Sequence, residues 1–133
     1  MIHQLYRPYE EIFYSDVTVS IAGMGSRGFQ KRPFKIEITG ADGEEDNIYN
    51  RSKFKLRNMV YDCTYIKNKV VVDMETSLSM ASGQDGFARF YVNNQPFGLY
   101  DLFDPLKKKF IKQYFHEGEQ DPKLGVLFKV WIF

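Results

Sequence analysis

The sequence has 133 residues, of which 44% are hydrophobic and 17% aromatic, so it fits one folded domain with an apolar core and excludes a disordered chain. Its formal net charge of +1 argues against non-specific binding to nucleic acid. One cysteine excludes an intrachain disulfide, and no apolar run is long enough for a signal peptide or a membrane-spanning helix.

The first half of the chain is predicted to form three strands, because apolar and polar side chains alternate there. Residues 17–22 read VTVSIA and residues 34–39 read FKIEIT, with a glycine-rich loop between them. Residues 53–57, KFKLR, predict a third, short strand. The stretch 40–52 is acidic and has no period, and we interpret it as a loop.

The period then changes from two residues to nearly four, which predicts a helix of roughly 18 residues over positions 64–82. Asp62 or Thr64 can cap the start of this helix, and Gly83 can end it. We expect four apolar side chains of this helix to be buried against the sheet: Ile66, Val70, Met74 and Leu78. We expect Lys67 and Lys69 to be exposed.

The second half is predicted to add a hairpin of two strands, at residues 88–92 and 96–102. A second helix follows at residues 104–118, and a last strand at residues 125–133. Asn93 and Asn94 suit a tight turn, since asparagine tolerates positive φ. Asp104 and Pro105 suit a helix start, with the aspartate as cap. The order β-β-β-α-β-β-α-β predicts an α+β fold, a single domain over residues 1–133 whose antiparallel sheet carries one long packed helix.

The loop between the first two strands reads GMGSRG at residues 23–28, a G-x-G-x-x-G pattern. In a dinucleotide-binding fold such a loop leads into a helix, whereas here a strand follows it. A glycine-rich hairpin followed by a lysine-bearing strand and a helix is the arrangement that covers ATP phosphates in the small lobe of protein kinases. An ordinary glycine-rich turn remains the alternative interpretation.

The third strand places Lys55 and Arg57 on one face and Phe54 and Leu56 on the other. The apolar face is predicted to lie on the core, and the basic face either borders a cleft or is solvated. Arg57 can alternatively pair with Asp62.

Three stretches together resemble the spore-coat protein kinase family CotH: MGSRGFQKRPFKIEI, KFKLRNMVYDCTYIKNKVVVDM and ARFYVNNQPFGLYDLFD. The resemblance covers roughly residues 15–130, and the form KRPFKI is most similar to fungal surface members that act as adhesins or invasins. It implies the small, N-terminal lobe of an atypical protein kinase. Such a kinase transfers the γ-phosphate of ATP to serine of coat or surface proteins, using Mg or Mn.

Carried over by position, the resemblance implies three groups of nucleotide-binding residues. The residues near the phosphates would be Gly25, Ser26 and Arg27. Phosphate charge would be neutralised by Lys55 or Arg57, and the adenine would lie near Leu102 and Phe103. It also implies localisation at a spore coat or cell surface, and a coat or surface protein substrate or a host receptor as partner.

The chain departs from the family pattern at two positions, with Asn68 where the helix usually carries Glu and Cys63 where proline is frequent. The catalytic and metal-binding aspartates of the family belong to the large lobe, so we expect this chain to be a fragment without catalytic residues or metal ligands, and inactive alone. A non-catalytic adhesin or invasin-type module on the same fold is the alternative. His3 and His116 form no metal-spaced cluster, and we expect Cys63 to be buried or half-buried.

Overall fold

The computed structural model describes residues 14–39 and 51–115. In chain order its elements are β1 (Asp16–Ile21), a 3-10 turn (Ser26–Gly28), β2 (Phe34–Thr39), β3 (Lys53–Arg57), α1 (Lys67–Ser77), β4 (Asp85–Val92), β5 (Gln95–Phe103) and α2 (Lys108–Phe115). The five strands form one antiparallel sheet in the order β1-β2-β3-β5-β4. The predicted α+β class is confirmed, and the strand predicted at 125–133 lies outside the described residues.

The core lies on one face of this sheet because successive side chains of a strand point to opposite faces. Leu56 of β3 is opposite Phe34 of β2 and Leu102 of β5, so the apolar positions of neighbouring strands share that face. Six buried side chains form the cluster: Ile36, Ile38, Phe54, Leu56, Ala88 and Tyr100. The predicted division of β3 into an apolar and a basic face is confirmed.

The hairpin between β4 and β5 also agrees with the sequence. Asn93 and Asn94 both have positive φ, at 50° and 63°, as a tight two-residue turn requires. The strand β4, however, begins at Asp85 rather than at residue 88. This extension places Asp85 opposite Phe103 at the end of β5.

The predicted buried face of α1 is wrong. The four apolar side chains at residues 66, 70, 74 and 78 are 46 to 69% exposed, whereas Val72 is buried and Asn68 half-buried. Side chains two positions apart in a helix point in directions roughly 200° apart. The side of α1 that packs on the sheet is therefore opposite to the side predicted from the apolar stripe. A polar contact, from the amide of Asn68 to Asp101 on β5, fixes this orientation.

The ends of α1 also differ from the sequence prediction, since the helix spans 11 residues. Of the two candidate caps, Asp62 is the one used, because its carboxylate accepts the backbone N–H groups of Thr64 and Lys67 at 3.0 and 2.8 Å. The helix ends before Gly83, at a turn where Ser79 has a φ of 55°.

Two further expectations are corrected. The helix α2 begins at Lys108 and not at residue 104, because the carboxylate of Asp104 pairs with Arg51 at 2.6 Å instead of capping a helix. Cys63 is exposed rather than buried, since it lies in the turns between β3 and α1. Neither helix of the described part of the chain is long and apolar enough to cross a membrane.

The observed face of α1 gives a direct test of the fold. Val72→Ala is expected to lower the free energy of unfolding by about 1–2 kcal/mol, because its side chain is buried. Val71→Ala makes the same change at an exposed position and is expected to stay within about 0.5 kcal/mol. Urea unfolding of both variants measures the difference, and equal losses would contradict the assigned helix face.

Candidate functional site

The glycine-rich loop joins β1 to β2 as the tip of a hairpin, as the sequence predicts. The backbone N–H of Ala22 donates to the carbonyl of Pro33 at 2.9 Å and closes the hairpin. Gly23 has a φ of 76°, and a Cβ there would lie 2.3 Å from Oγ of Ser26. Gly23 is therefore required by the turn itself, and Arg27 braces the turn by donating from Nε to its carbonyl at 2.6 Å.

Gly25 and Gly28 differ from Gly23 in their surroundings. A Cβ built on either would meet no atom within 4 Å, and both residues are exposed. Contacts of the loop therefore do not demand glycine at these two positions. The backbone at the loop tip borders open space.

The loop is attached to the sheet by Asn58, a buried residue that follows β3 directly. The Nδ2 group of Asn58 donates to the carbonyl of Lys31 at 2.7 Å and to that of Ser26 at 3.3 Å. Since Arg57 precedes Asn58, the loop is fixed at the Arg57 end of β3. Lys55 lies two residues further from this attachment.

The basic side chains of β3 lie on the face opposite the core, and both are exposed. Arg57 is paired in register with Asp101, and Lys55 with Phe103. The guanidinium of Arg57 lies over the ring of Phe103, with Cζ 4.6 Å from the ring centroid. A guanidinium over an aromatic face is held by cation–π attraction, which restricts where the Arg57 side chain can lie.

The alternative pairing of Arg57 with Asp62 is not what the geometry shows. The carboxylate of Asp62 serves the start of α1, and hydrogen bonding by Thr64 is the main reason that its pKa is lowered. The ring of Phe103 is the contact that the structure gives the Arg57 guanidinium.

The two candidate adenine-contacting residues at the end of β5 lie on opposite faces of the sheet. Phe103 lies on the face of Arg57, whereas Leu102 points to the other face and packs against the core cluster. The structure therefore places Arg57 against Phe103, and it attaches the glycine loop to Asn58, the residue that follows Arg57. It does not bring Leu102 to that face.

A buried pair of carboxyl groups lies on the same face of the sheet. Asp101 is 0% exposed, and its Oδ2 accepts a hydrogen bond from Nδ2 of Asn68 at 2.6 Å. Burial, followed by interaction with Asp101, raises the pKa of Asp85 to about 8, against smaller lowering effects of the Gly86 backbone N–H and of Arg57. At neutral pH, which is below this pKa, the protonated form of Asp85 predominates.

Sequence reasoning missed this pair because its members sit on different elements. Asp85 and Asp101 belong to the two strands of one hairpin, and Asn68 comes from α1. The one signal in the sequence was Asn68 itself, a neutral side chain where the family resemblance predicts Glu. A glutamate there would place a third carboxylate beside the pair, whereas the amide of asparagine can donate to it.

A metal ion does not fit these residues. Within residues 14–39 and 51–115, no group of three or more His, Cys, Asp or Glu side chains could hold a metal. The acid pair supplies two carboxyl groups, and the raised pKa of Asp85 keeps one of them protonated at neutral pH. His3 and His116 lie outside the described residues.

A family model described as CotH kinase protein matches residues 19–130. The chain belongs to the CotH family. The resemblance noted in the sequence is therefore confirmed, and the loop, the basic strand and the acid pair all lie within the matched residues of this CotH chain.

Several curated proteins of Rhizopus delemar are similar to the CotH chain. Invasin CotH2 is 27% identical over 117 residues, and Invasin CotH3 is 26% identical over 117 residues. Each alignment covers 86% of this chain and 19% of the relative. Spore coat protein homolog 1 is 26% identical over 80 residues, which cover 59% of this chain and 13% of that protein. The chain thus spans about a fifth of the length of the first two relatives.

Proposed function

We propose that this chain is the N-terminal, nucleotide-binding lobe of a CotH-type protein kinase. In the intact protein, the γ-phosphoryl group of ATP would pass to serine of coat or surface proteins. The observation that carries the proposal is the attachment of the glycine loop at the Arg57 end of β3, through the two hydrogen bonds from Asn58.

The geometry of the loop and of β3 supports a separate role for each of these residues. The backbone N–H groups near Gly25, Ser26 and Gly28 can approach phosphate oxygens, because no Cβ stands above the two glycines. Arg57 would neutralise phosphate charge with a planar fork of donors, and the ring of Phe103 holds that fork in place. Arg27 is held to the carbonyl of Gly23 and shapes the loop.

The remaining candidates take secondary roles. Lys55 lies further from the loop attachment and would contribute at longer range. Phe103 is the candidate for an adenine contact, whereas Leu102 acts in the core. Mg or Mn, which the family implies, would neutralise charge on the moving phosphoryl group, and the described residues offer no set of ligands that fits either metal.

Localisation and partners rest on the names of the relatives. The words invasin and spore coat in those names support a place at a coat or cell surface, with a coat or surface protein as substrate. The same names support a second candidate, a non-catalytic surface module that binds a host receptor. Asn68 favours this second candidate, because an amide cannot supply the charge of the glutamate that orients a phosphate-binding cation in kinases.

Nucleotide affinity distinguishes the two candidates. Arg57→Met is expected to raise the Kd for ATP about tenfold, since it removes one charge-assisted contact to phosphate. Lys55→Met is expected to have a smaller effect in the same direction. Isothermal titration of ATP into the chain and its variants measures both.

The control for this titration is Arg89→Met, which removes the same charge from an exposed position on β4, two strands away from β3. It should leave the Kd unchanged. Equal losses in the Arg57 and Arg89 variants would reduce the effect to overall charge, and no ATP binding by the parent chain would favour the surface module.

A further inference from the structure

Lys31 follows the glycine loop, and its half-buried side chain contacts the sheet. Its Nζ donates to the backbone carbonyl of Leu99 on β5 at 2.5 Å. The same ammonium lies 4.7 Å from the ring centroid of Tyr100 and 4.9 Å from that of Tyr65. One cation therefore joins three separate parts of the chain.

Each of these parts has a fixed place in the fold. Tyr100 is a fully buried member of the core cluster, and Leu99 precedes it on β5. Tyr65 lies two residues before α1, in a left-handed conformation with a φ of 62°. Lys31 thus links the loop to the sheet and to the segment that leads into the helix.

The contacts are of a kind that holds a side chain firmly. An ammonium hydrogen bond to a carbonyl is charge-assisted, and two aromatic faces add cation–π attraction that strengthens as water is excluded. The site is partly desolvated, since burial lowers the pKa of Lys31. The carbonyl of Lys31 is held separately by Asn58, so backbone and side chain are both anchored.

We propose that Lys31 is a positioning residue for the glycine loop: its ammonium fixes the loop to β5 and to the start of α1, and it does not bind phosphate itself. The proposal rests on the proposed nucleotide-binding function for its purpose, but its structural part stands without a nucleotide. Lys31 would thus differ in role from Arg57, whose guanidinium lies over the ring of Phe103 on β5.

A direct phosphate ligand would behave differently. To reach a nucleotide, the ammonium of Lys31 would have to leave the Leu99 carbonyl and both tyrosine rings. As a positioning residue, Lys31 orders the loop before any ligand arrives. The order of the free loop is therefore the readout that separates the two roles.

The experiment measures hydrogen exchange at the amides of Ala22 and Phe29, which make backbone hydrogen bonds at the two sides of the loop. In nucleotide-free chain, Lys31→Met is expected to speed exchange at these amides about tenfold, because it removes both kinds of contact. Lys31→Arg should restore slow exchange, since a guanidinium can also donate to the carbonyl and stack on the rings.

Two further variants guard the interpretation. Arg32→Met removes the same charge from the neighbouring exposed residue and should leave exchange unchanged. Tyr65→Leu removes one ring without changing any charge and should give an intermediate increase in the exchange rate. This variant provides the test if Lys31→Met fails to fold.

ATP titration of the same variants separates the two proposals. Faster loop exchange together with a raised Kd for ATP supports both. Faster exchange with no ATP binding by any variant supports the positioning role and removes the nucleotide function. Unchanged loop exchange in both Lys31→Met and Tyr65→Leu overturns the positioning role, and a raised Kd in that case makes Lys31 a phosphate ligand.

Discussion

Replacing Asp85 by Asn is expected to stabilise the protein at pH 8 and to flatten the dependence of its stability on pH. The folded chain holds a proton on Asp85, whose pKa is raised to about 8 by burial and by Asp101. Asparagine is neutral at every pH, and its amide can donate a hydrogen bond to Asp101. The variant thus removes the cost of ionising a carboxyl whose oxygens are buried.

The sign of the effect follows from linkage. Below pH ~4 both the folded and the unfolded protein hold the proton, so Asp85 has no influence. Between pH ~4 and ~8 the unfolded chain releases the proton and the folded chain keeps it, so stability falls as pH rises, by at most ~1.4 kcal/mol per pH unit. Above the folded pKa the penalty is complete.

Other groups act in different directions. Burial also raises the pKa of Asp104, although Arg51 opposes this, and so some decline with pH remains in the variant. Glu37 and Asp62 have lowered pKa values, chiefly through hydrogen bonds from Lys35 and Thr64, and they lose stability only in acid. The contribution of Asp85 is therefore the difference between the curves of Asp85→Asn and the parent, in which the other groups cancel.

Since Asp85 is half-buried, we expect a gain of roughly 2 kcal/mol at pH 8 rather than the full value that four pKa units represent. Urea unfolding across pH 5–9 measures it, with Asp16→Asn on the exposed strand β1 as the matched control. Parallel curves for Asp85→Asn and the parent would contradict the raised pKa of Asp85.

Leu56→Ala is expected to lower the free energy of unfolding by about 3 kcal/mol. The side chain is 2% exposed in the centre of the core, opposite Phe34 on β2 and Leu102 on β5. Removing it costs the transfer energy of the lost methyl groups and leaves a cavity that strands on both sides cannot close.

The control is Leu99→Ala, the same substitution at a position on β5 that is 38% exposed. It should change stability by no more than about 0.5 kcal/mol. The comparison tests which face of the sheet is the core, since Leu56 lies between the two basic residues of β3. Equal losses in the two variants would place the core elsewhere.

The sheet could be read from the sequence because its information is local. Alternation in FKIEIT and KFKLR assigned both the strands and their buried faces, and Asn93-Asn94 marked the turn. The face of α1 could not be read in this way. Its apolar stripe predicts burial, yet the helix is oriented by Asn68, whose partner Asp101 lies 33 residues further along the chain.

The candidate site, like the fold, could be predicted from the sequence only where its signals are local. The glycine loop and the basic face of β3 were visible as patterns, and the structure joins the loop to the Arg57 end of that strand. The anchors that do so, Asn58 and Lys31, act over 27 and 68 residues of sequence, respectively. Hydrogen bonds from polar side chains to distant backbone carbonyls leave no periodic pattern in the sequence. They could therefore not be predicted from it.

The most direct test of the nucleotide-binding account is a nuclear magnetic resonance titration of the isotope-labelled chain with ATP and, separately, with adenosine. The account predicts that ATP shifts the amide signals of Gly25, Ser26 and Gly28, that adenosine does not, and that Arg57→Met weakens the response to ATP. Loop amides that stay unmoved by millimolar ATP, or that move equally with adenosine, would contradict phosphate binding at the glycine loop.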